Sequence, residues 1–351
     1  MAANEFLRRL GIACPIIQGP MGGGPSTPEL VAAVSNAGGL GSLGAAYLTP
    51  DQITDAVRRI KALTDRPFNV NLFAGAWQTA NAVDPAAMLA LLAEAHAALG
   101  LPAPTVPAVP PDPFDAQLEA VLAARPAIFS FTFGIPGKDA MARVRARGAA
   151  ILGTATTVRE GRMLAEAGVD AVVAQGAEAG AHRGTFAAPF EVAMVPMLDL
   201  VAGIAAAVRV PVIASGGIMD GRAITAALTR GAAAAQLGTA FLTCPESGAP
   251  AAHKQAILAA RQDRTVITRA FSGRPARGIP NAFTAKLAGR EDIILPYPLQ
   301  NLLTRAMRTA AAKGGDADFL SLWAGTGAPQ GRALAAGALV ARLTEEMRDA
   351  R

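Results

Sequence analysis

Residues 210–239 read VPVIASGGIMDGRAITAALTRGAAAAQLGT and contain a strand, a helix and a second strand in succession. The runs Val212 to Ser215 and Ala234 to Leu237 are short and mostly apolar, which is typical of strands covered on both faces. The stretch Gly221 to Thr229 between them is a helical candidate, and Gly231 supplies a stop signal after it. The segment therefore predicts one βαβ unit with parallel strands.

The same alternation of short apolar runs and longer Ala-rich stretches begins near the amino terminus. The other predicted strands are Cys14 to Gln18, Leu40 to Ala45, Phe68 to Phe73, Ile128 to Phe133, Ala150 to Thr154 and Ala171 to Gln175. The other predicted helices are Pro28 to Ala37, Pro50 to Ala62, Pro85 to Leu99, Lys138 to Arg147, Val158 to Ala167 and Pro196 to Val208. Eight strands with helices between them predict an α/β fold of the TIM (β/α)8 barrel type. A doubly wound open sheet is the competing fold, and the change of pattern after the eighth strand favours the barrel.

That change of pattern comes near residue 245, after which no further βα unit is evident. Helical spacing of Leu and Ala recurs around Gln255 to Arg261, Leu299 to Lys313 and Arg332 to Met347. We therefore expect a barrel domain at residues 1–245 and a smaller, mainly helical domain on the substrate side at residues 246–351.

The composition excludes several classes of protein. Of the 351 residues, 52% are hydrophobic and 17% are charged, so the chain is not disordered and can bury a large core. The formal net charge is +5, but the basic residues are scattered and form no long run. We therefore expect neither nucleic acid nor a membrane as a partner.

The cysteines and the amino-terminal segment bear on metal binding and location. Cys14 and Cys244 lie far apart, which argues against a disulfide framework and a cysteine-built metal site. Residues 1–6 (MAANEF) show no basic region followed by an apolar stretch, and the sequence has no apolar run of about 18 residues, so we expect neither a secretory signal nor a membrane span. We therefore expect a cytoplasmic protein, while the sequence does not fix its oligomeric state.

Glycines and amides follow most of the predicted strands, and in a barrel the loops after the strands form the active face. The pairs Gly216-Gly217 and Gly238-Thr239 come at consecutive strand ends, where glycine lets the backbone approach a phosphate closely. The neutral side chains at these ends could bond the polar edge of a heterocycle without adding charge; they are Asn71, Gln175 and Gln236. Each feature taken alone fits a tight turn or a satisfied polar group equally well.

His182 is the strongest single candidate for chemistry among the three histidines. It follows the sixth predicted strand in the glycine-rich stretch Gly176 to Glu191, whereas His96 and His253 lie in positions that we interpret as incidental. An imidazole there could accept a proton or hydrogen-bond an anion near neutral pH. From the residues alone, a structural role for His182 is equally open.

Several motifs together resemble the nitronate monooxygenase family, formerly called 2-nitropropane dioxygenase, over nearly the whole chain. The resemblance lies in residues 15–21 (PIIQGPM), 69–73 (NVNLF), 178–186 (EAGAHRGTF), 212–218 (VIASGGI), 236–239 (QLGT), 297–301 (YPLQN) and 321–325 (SLWAG). The Ser-Gly-Gly and Gly-Thr elements are shared by many FMN barrels, but the combination is specific.

The resemblance implies a TIM barrel with a helical second domain, non-covalent FMN, and oxidation of an alkyl nitronate by O2 to a carbonyl compound and nitrite. Propionate 3-nitronate is the natural substrate that it suggests, with neutral nitroalkanes as further substrates. His182 would be the catalytic residue, and we expect the adjacent Arg183 to attract an anionic substrate. The implied FMN contacts are Pro20, Met21, Gly22, Asn71, Gln175, Gly180, Gly216, Gly217, Gln236, Leu237, Gly238 and Thr239.

Two departures from the family pattern bear on substrate range. Thr132 stands where the family often has a histidine, and Tyr47 and Tyr297 are the chain's two tyrosines. One alternative is another FMN barrel of the superfamily, an NAD(P)H:quinone reductase or an enoyl-acyl-carrier-protein reductase. A second alternative is a barrel that binds a phosphate-containing ligand but has lost catalytic activity.

Overall fold

Eight parallel strands form the centre of the molecule, whose computed structural model describes residues 2–75, 77 and 83–350. Their sheet order is β1-β9-β8-β6-β5-β4-β3-β2, and a parallel bridge between Ile17 and Leu40 joins the two outermost strands. The Leu40 amide donates to Ile16 O at 3.0 Å and the Gln18 amide donates to Leu40 O at 2.9 Å. The strands are β1 Ile16–Gln18, β2 Gly41–Gly44, β3 Phe68–Phe73, β4 Ile128–Thr132, β5 Ala150–Ala155, β6 Ala171–Gln175, β8 Val212–Ser215 and β9 Ala234–Leu237.

The predicted TIM barrel is therefore confirmed, because an open sheet would leave β1 and β2 as unpaired edges. Helices surround the barrel where the sequence predicted them, and two further helices, α1 and α5, were not predicted. In chain order, the helices around the barrel are α1 Ala2–Leu10, α2 Pro28–Asn36, α3 Pro50–Leu63, α4 Ala86–Ala98, α5 Phe114–Ala124, α6 Lys138–Ala146, α7 Val158–Glu166, α8 Met197–Ala207 and α9 Gly221–Thr229.

The amino-terminal end of the barrel is closed by apolar packing. Ile128, Ala150 and Ala171 begin their strands and belong to one buried cluster with Phe6 and Leu10 of α1. Helix α1 thus covers this end, and a ligand must enter at the opposite end, where the strands finish.

The region after β9 is mainly helical, as predicted, and it also contains a small sheet. Strand β11 (Ala276–Gly278) pairs antiparallel with β10 (Val266–Thr268) and with the two-residue strand β7 (Ala181–His182). The helices are α10 Thr239–Leu242, α11 Ala251–Ala259, α12 Ala282–Leu287, α13 Leu299–Leu303, α14 Arg305–Gly314 and α15 Ala336–Asp349. None of the described helices is long and apolar enough to span a bilayer.

Packing crosses the predicted domain boundary at residue 245 in two places. Met88 and Leu92 of α4 belong to one buried cluster with Phe271 and Phe283. Helix α15 packs against α2 and α9 of the barrel. The division into two domains stays a prediction.

A buried carboxylate holds the loop that follows β7. Glu160 of α7 has no exposed surface. Its Oε2 accepts hydrogen bonds from the amide and hydroxyl of Thr156, both at 2.7 Å. Its Oε1 accepts from the amides of Phe186 at 2.7 Å and Ala187 at 2.9 Å. One side chain therefore satisfies four donors and ties the loop to the barrel wall.

We expect Glu160→Ala to lower the free energy of unfolding by about 3 kcal/mol, because buried donors lose their acceptor. Urea denaturation followed by circular dichroism measures this. The matched control is Glu119→Ala, which removes an exposed ion pair with Arg143 and should cost no more than about 0.5 kcal/mol. Equal losses in the two variants would contradict the assignment.

Candidate active site

The ends of four neighbouring strands bring the predicted site residues to one mouth of the barrel. In the sheet register, Gln175 of β6 lies beside Ser215 of β8, Ser215 beside Gln236 of β9, and Leu237 of β9 beside Gln18 of β1. On the other side of β1, Asn71 of β3 pairs with Gly44 of β2. The residues that follow these positions along the chain are therefore neighbours at the mouth.

The turn after β1 lies directly against β2. The Met21 amide donates to Ser26 Oγ at 2.9 Å, and Gln18 Nε2 donates to the same oxygen at 3.1 Å. A Cβ on Gly44 would collide with the backbone of Met21 and Gly22. Glycine at 44 is therefore what lets the segment Pro20, Met21 and Gly22 lie across the mouth.

The turn after β8 takes a conformation that favours glycine. Gly216 has φ +122° and Gly217 has φ +70°. A Cβ on Gly217 would lie 2.9 Å from Glu178 Cβ. One strand away, no atom lies within 4 Å of where a Cβ on Gly238 would stand, so that backbone faces open space.

The helix that follows this turn offers no free amino terminus. Asp220 Oδ1 accepts from the Ala223 amide at 2.8 Å, and Glu346 Oε2 accepts from the Gly221 amide at 3.0 Å. Two carboxylates thus already occupy the start of α9. An anion at this mouth would have to be bound by the Gly216-Gly217 turn rather than by the helix.

The side-chain amides of Gln175, Asn71 and Gln236 differ in how much of their hydrogen-bonding capacity the protein already uses. Gln175 Oε1 accepts from the Gly184 amide at 2.7 Å and its Nε2 donates to His182 O at 3.0 Å, so this side chain fixes the His182 loop. Asn71 Nδ2 donates to Ser130 Oγ at 2.9 Å. Gln236 makes a single long contact of 3.5 Å with Ser215 Oγ and keeps most of its capacity.

His182 belongs to β7, and its backbone position is set by pairing with β11. Ala276 is its partner in the register, and Ala181 before it has φ +62°, an uncommon conformation for a residue with a side chain. His182 Nε2 lies 2.8 Å from Ser272 Oγ, which is the hydroxyl that orients the ring. No hydrogen bond to Nδ1 occurs among the described residues, so this ring nitrogen remains available to a ligand.

Aromatic rings surround the imidazole of His182. Its ring centroid lies 5.7 Å from that of Trp323, 6.0 Å from Phe133 and 6.5 Å from Tyr297. Trp77 lies 5.9 Å from Tyr297 in an edge-to-face arrangement. These rings leave the imidazole half-buried and disfavour its charged form.

The electrostatics keep His182 neutral. The pKa of His182 is lowered to about 3, chiefly by burial and to a smaller extent by the positive charges of Arg274 and Arg308. A neutral imidazole is a proton acceptor, and a bound anion would raise its pKa again.

Arg183 has a structural role in the protein and does not attract the substrate as the sequence analysis expected. Its side chain is 2% exposed, and its guanidinium donates to Gly176 O, to Gln175 O at 2.9 Å and to Ala193 O at 3.0 Å. These bonds use the guanidinium to hold the backbone of the loop around β7, so the group is not available to bind a substrate.

Several residues of the mouth were not found from the sequence. Two such residues are Ser272, which bonds His182, and Arg274, whose guanidinium carbon lies 4.0 Å from the Phe133 ring centroid.

Two other parts of the mouth were named in the sequence analysis. Thr132 stands where the family often has a histidine, and its Oγ1 lies 3.4 Å from Thr154 Oγ1. The segment around Gly325 closes the mouth, because the Gly325 amide donates to Thr239 Oγ1 at 2.9 Å.

A (β/α)8 barrel whose strand ends carry glycine turns and a half-buried imidazole has the fold and the site of a TIM-barrel enzyme. The profile of the family described as nitronate monooxygenase matches residues 4–346. A curated relative, the probable nitronate monooxygenase of Staphylococcus aureus strain Newman, is 41% identical over 323 residues, which cover 92% of this chain and 91% of that protein. The chain belongs to the nitronate monooxygenase family, and the protein is an oxidoreductase.

Solved structures agree with this assignment. The nitroalkane oxidase from Streptomyces ansochromogenes superposes with a TM-score of 0.89 at 43% identity, covering 97% of each chain. FabK from Thermotoga maritima superposes with a TM-score of 0.78 at 28% identity, covering 98% of this chain and 96% of that one.

We expect His182 to stay unprotonated from pH 8 down to pH 5 in the absence of substrate, because its pKa lies near 3. NMR of 15N-histidine-labelled protein follows the three imidazoles, and His182→Gln identifies the signals of His182 by their loss. Since the unfolded imidazole titrates near 6.5, His182 also makes the native state lose stability as the pH falls from about 6.5 towards 3. A midpoint between pH 6 and 7 would contradict the buried, neutral assignment.

Proposed function

We propose that this protein uses FMN to oxidise alkyl nitronates with O2, giving a carbonyl compound and nitrite. The observation that carries the proposal is a neutral, ring-enclosed His182 beside a glycine-lined mouth in a member of this family. Propionate 3-nitronate and neutral nitroalkanes are the proposed substrates. A cytoplasmic location stays a prediction.

The residues at the mouth fit FMN. The Gly216-Gly217 turn has the positive φ angles that leave backbone N–H groups free to face a phosphate, and the space beside Gly238 is open. The spare hydrogen-bonding capacity of Gln236 and Asn71 suits the polar edge of a flavin ring. When bound, FMN supplies the redox chemistry, since it accepts electrons from the substrate and passes them to O2.

The proposed cofactor contacts fall into three groups around the mouth. The phosphate would lie against Gly216, Gly217, Gly238 and Thr239. The ring would lie beside Pro20, Met21 and Gly22, with Asn71, Gly180, Gln236 and Leu237 around it. Gln175 contributes indirectly, because both ends of its amide hold the His182 loop in place.

His182 would act on the substrate directly. As a neutral base it takes the α-proton of a nitroalkane, and the resulting imidazolium donates a hydrogen bond to the nitronate oxygens. Ser272, bonded to Nε2, fixes the plane of the ring. The rings around the half-buried imidazole lower the local dielectric and so strengthen the attraction between imidazolium and nitronate.

A reductase that takes electrons from NAD(P)H and passes them to a quinone or an enoyl thioester is the second candidate, favoured by the likeness to FabK. The two functions separate in one assay. Purified protein with FMN is mixed under air with propionate 3-nitronate, and nitrite is measured. We expect nitrite and little oxidation of NADH, whereas fast NADH oxidation with a quinone and no nitrite would favour the reductase.

We expect His182→Ala to bind FMN normally and to oxidise neutral nitroalkanes at least about 100-fold more slowly, because the base is gone. Preformed nitronates have already lost the α-proton, so their oxidation should fall much less. Comparing kcat for nitroethane and for its nitronate measures the difference. Equal nitroethane rates in the variant and the parent would remove His182 from proton abstraction.

We expect Gly217→Val to weaken FMN binding at least about tenfold, because a branched side chain would crowd the phosphate turn. Ultrafiltration followed by flavin absorbance measures the retained cofactor. Gly148→Val is the matched control: Gly148 has φ +81° but no atom within 4 Å of a Cβ, and it lies away from the mouth. Normal retention by Gly217→Val would refute the phosphate placement.

A further inference from the structure

A chain of hydrogen bonds between buried polar residues crosses four neighbouring strands of the barrel, from β4 to β1. Ser130 Oγ on β4 accepts from Asn71 Nδ2 and from Asn69 Nδ2, each at 2.9 Å. Asn69 Nδ2 also donates to Ser42 Oγ on β2 at 3.2 Å, and the Ser42 amide donates to Gln18 Oε1 on β1 at 2.8 Å. Each of these five residues is at most 4% exposed, so the chain lies inside the protein.

The two ends of this chain meet segments that we propose as FMN contacts. Gln18 continues it through Nε2 to Ser26 Oγ at 3.1 Å, and that oxygen also accepts from the Met21 amide at 2.9 Å. The other end is Asn71, which pairs with Gly44, and a Cβ on Gly44 would collide with the backbone of Met21. Hydrogen bonds through the interior therefore join two parts of the same side of the mouth.

Ser130 determines which end of the Asn71 amide faces the mouth. A hydroxyl oxygen accepts two hydrogen bonds, and amide nitrogens take both of these positions on Ser130 Oγ. Because Asn71 Nδ2 is directed to Ser130, the amide oxygen Oδ1 is turned away from it. Asn71 Oδ1 makes no hydrogen bond to any described residue and, unlike Asn69 Oδ1, it is not sealed from solvent. Asn71 therefore presents a hydrogen-bond acceptor to a ligand.

Asn69 indicates that this network is not arranged for stability alone. Its Oδ1 is buried without a hydrogen-bond partner, which is costly for a polar atom. An apolar side chain between β2 and β4 would avoid that cost. Asn69 Nδ2, however, bonds both Ser42 and Ser130 and so fixes the position of the oxygen that Asn71 meets. What the network provides is a fixed orientation of Asn71.

We propose that Ser130 is a positioning residue for FMN, because it holds Asn71 so that Oδ1 accepts a hydrogen bond from the flavin ring. This inference rests on the proposed function, since it requires FMN at the mouth. The polar edge of an oxidised flavin ring carries a single N–H group between two carbonyl groups. An acceptor held in one orientation meets that N–H and repels the carbonyl oxygens, so it selects one placement of the ring.

The test measures FMN binding rather than turnover. Dilution of FMN-loaded protein, followed by the fluorescence of the released flavin, gives the Kd of each variant. We expect Ser130→Ala to raise the Kd for FMN at least about tenfold, because Asn71 loses the acceptor that fixes its amide. Ser130→Thr keeps the hydroxyl, so its Kd should stay within about threefold of the parent value.

Ser35→Ala is the matched control for lost stability. Ser35 is 1% exposed, and its Oγ donates to Pro67 O at 2.9 Å and accepts from the Gly41 amide at 3.1 Å. Its partners lie at the start of β2 and just before β3, at the end of the barrel away from the mouth. We expect both alanine variants to lower Tm, while Ser35→Ala changes the Kd for FMN less than about twofold. Equal changes in this Kd would overturn the positioning role.

A further variant keeps the test valid if Ser130→Ala does not fold. Ser130→Cys leaves the side-chain volume nearly unchanged and supplies only a weak acceptor, so we expect its Kd for FMN to rise at least about threefold. Visible circular dichroism of the bound flavin gives a second measurement, in which Ser130→Cys should alter the flavin bands and Ser35→Ala should not. Parent-like Kd values and spectra in the Ser130 variants would overturn the proposal.

The nitrite assay separates this inference from the proposed function. If the parent binds FMN but forms no nitrite from propionate 3-nitronate, the proposed function fails, and weaker FMN binding by Ser130→Ala still supports the positioning role. If the parent forms nitrite and the Ser130 variants bind FMN normally, the positioning role fails and the proposed function stands. A parent that binds no FMN would overturn both.

Discussion

The pairing of β7 with β11 is the constraint on which the mouth of the barrel depends. Ala276 lies opposite His182, and the Arg183 amide donates to Pro275 O at 3.0 Å, so a loop of the barrel is fixed to a segment more than 90 residues further along the chain. The left-handed conformation of Ala181 turns the chain into this pairing. The same pairing sets Ser272 on the imidazole and Arg274 beside the rings.

The electrostatic character of the mouth follows from this arrangement. The imidazole is half-buried among rings, and the positive charges of Arg274 and Arg308 act on it, so both effects favour its neutral form. The carboxylates nearby are already engaged: Glu178 accepts from the Met197 amide, and Glu160 accepts from four donors. The charges that act on His182 are therefore the positive ones of Arg274 and Arg308, a sign that suits the anionic substrate that we propose.

The barrel could be predicted from the sequence because buried parallel strands are local, near-continuous apolar runs ending in glycine or an amide. Strands β7, β10 and β11 could not be predicted, since two or three residues carry no periodic signal. The pairing of β7 with β11 also joins segments more than 90 residues apart. The sequence singled out His182 because it is one of three histidines and follows a strand in a glycine-rich stretch, and its catalytic role stays a prediction. Arg183 was misassigned because successive residues of a strand point to opposite faces, so the neighbour of a ligand-facing residue points away. Ser272 and Arg274 were missed because they reach the His182 ring and the Phe133 ring only through contacts between distant segments.

The most direct test of the account is a crystal structure of the protein with added FMN. The account predicts the phosphate against the backbone of Gly217 and Gly238 and the flavin ring beside His182, with Nε2 of that histidine still bonded to Ser272. A barrel mouth that stays empty under these conditions, or an imidazole turned away from the ring, would contradict it.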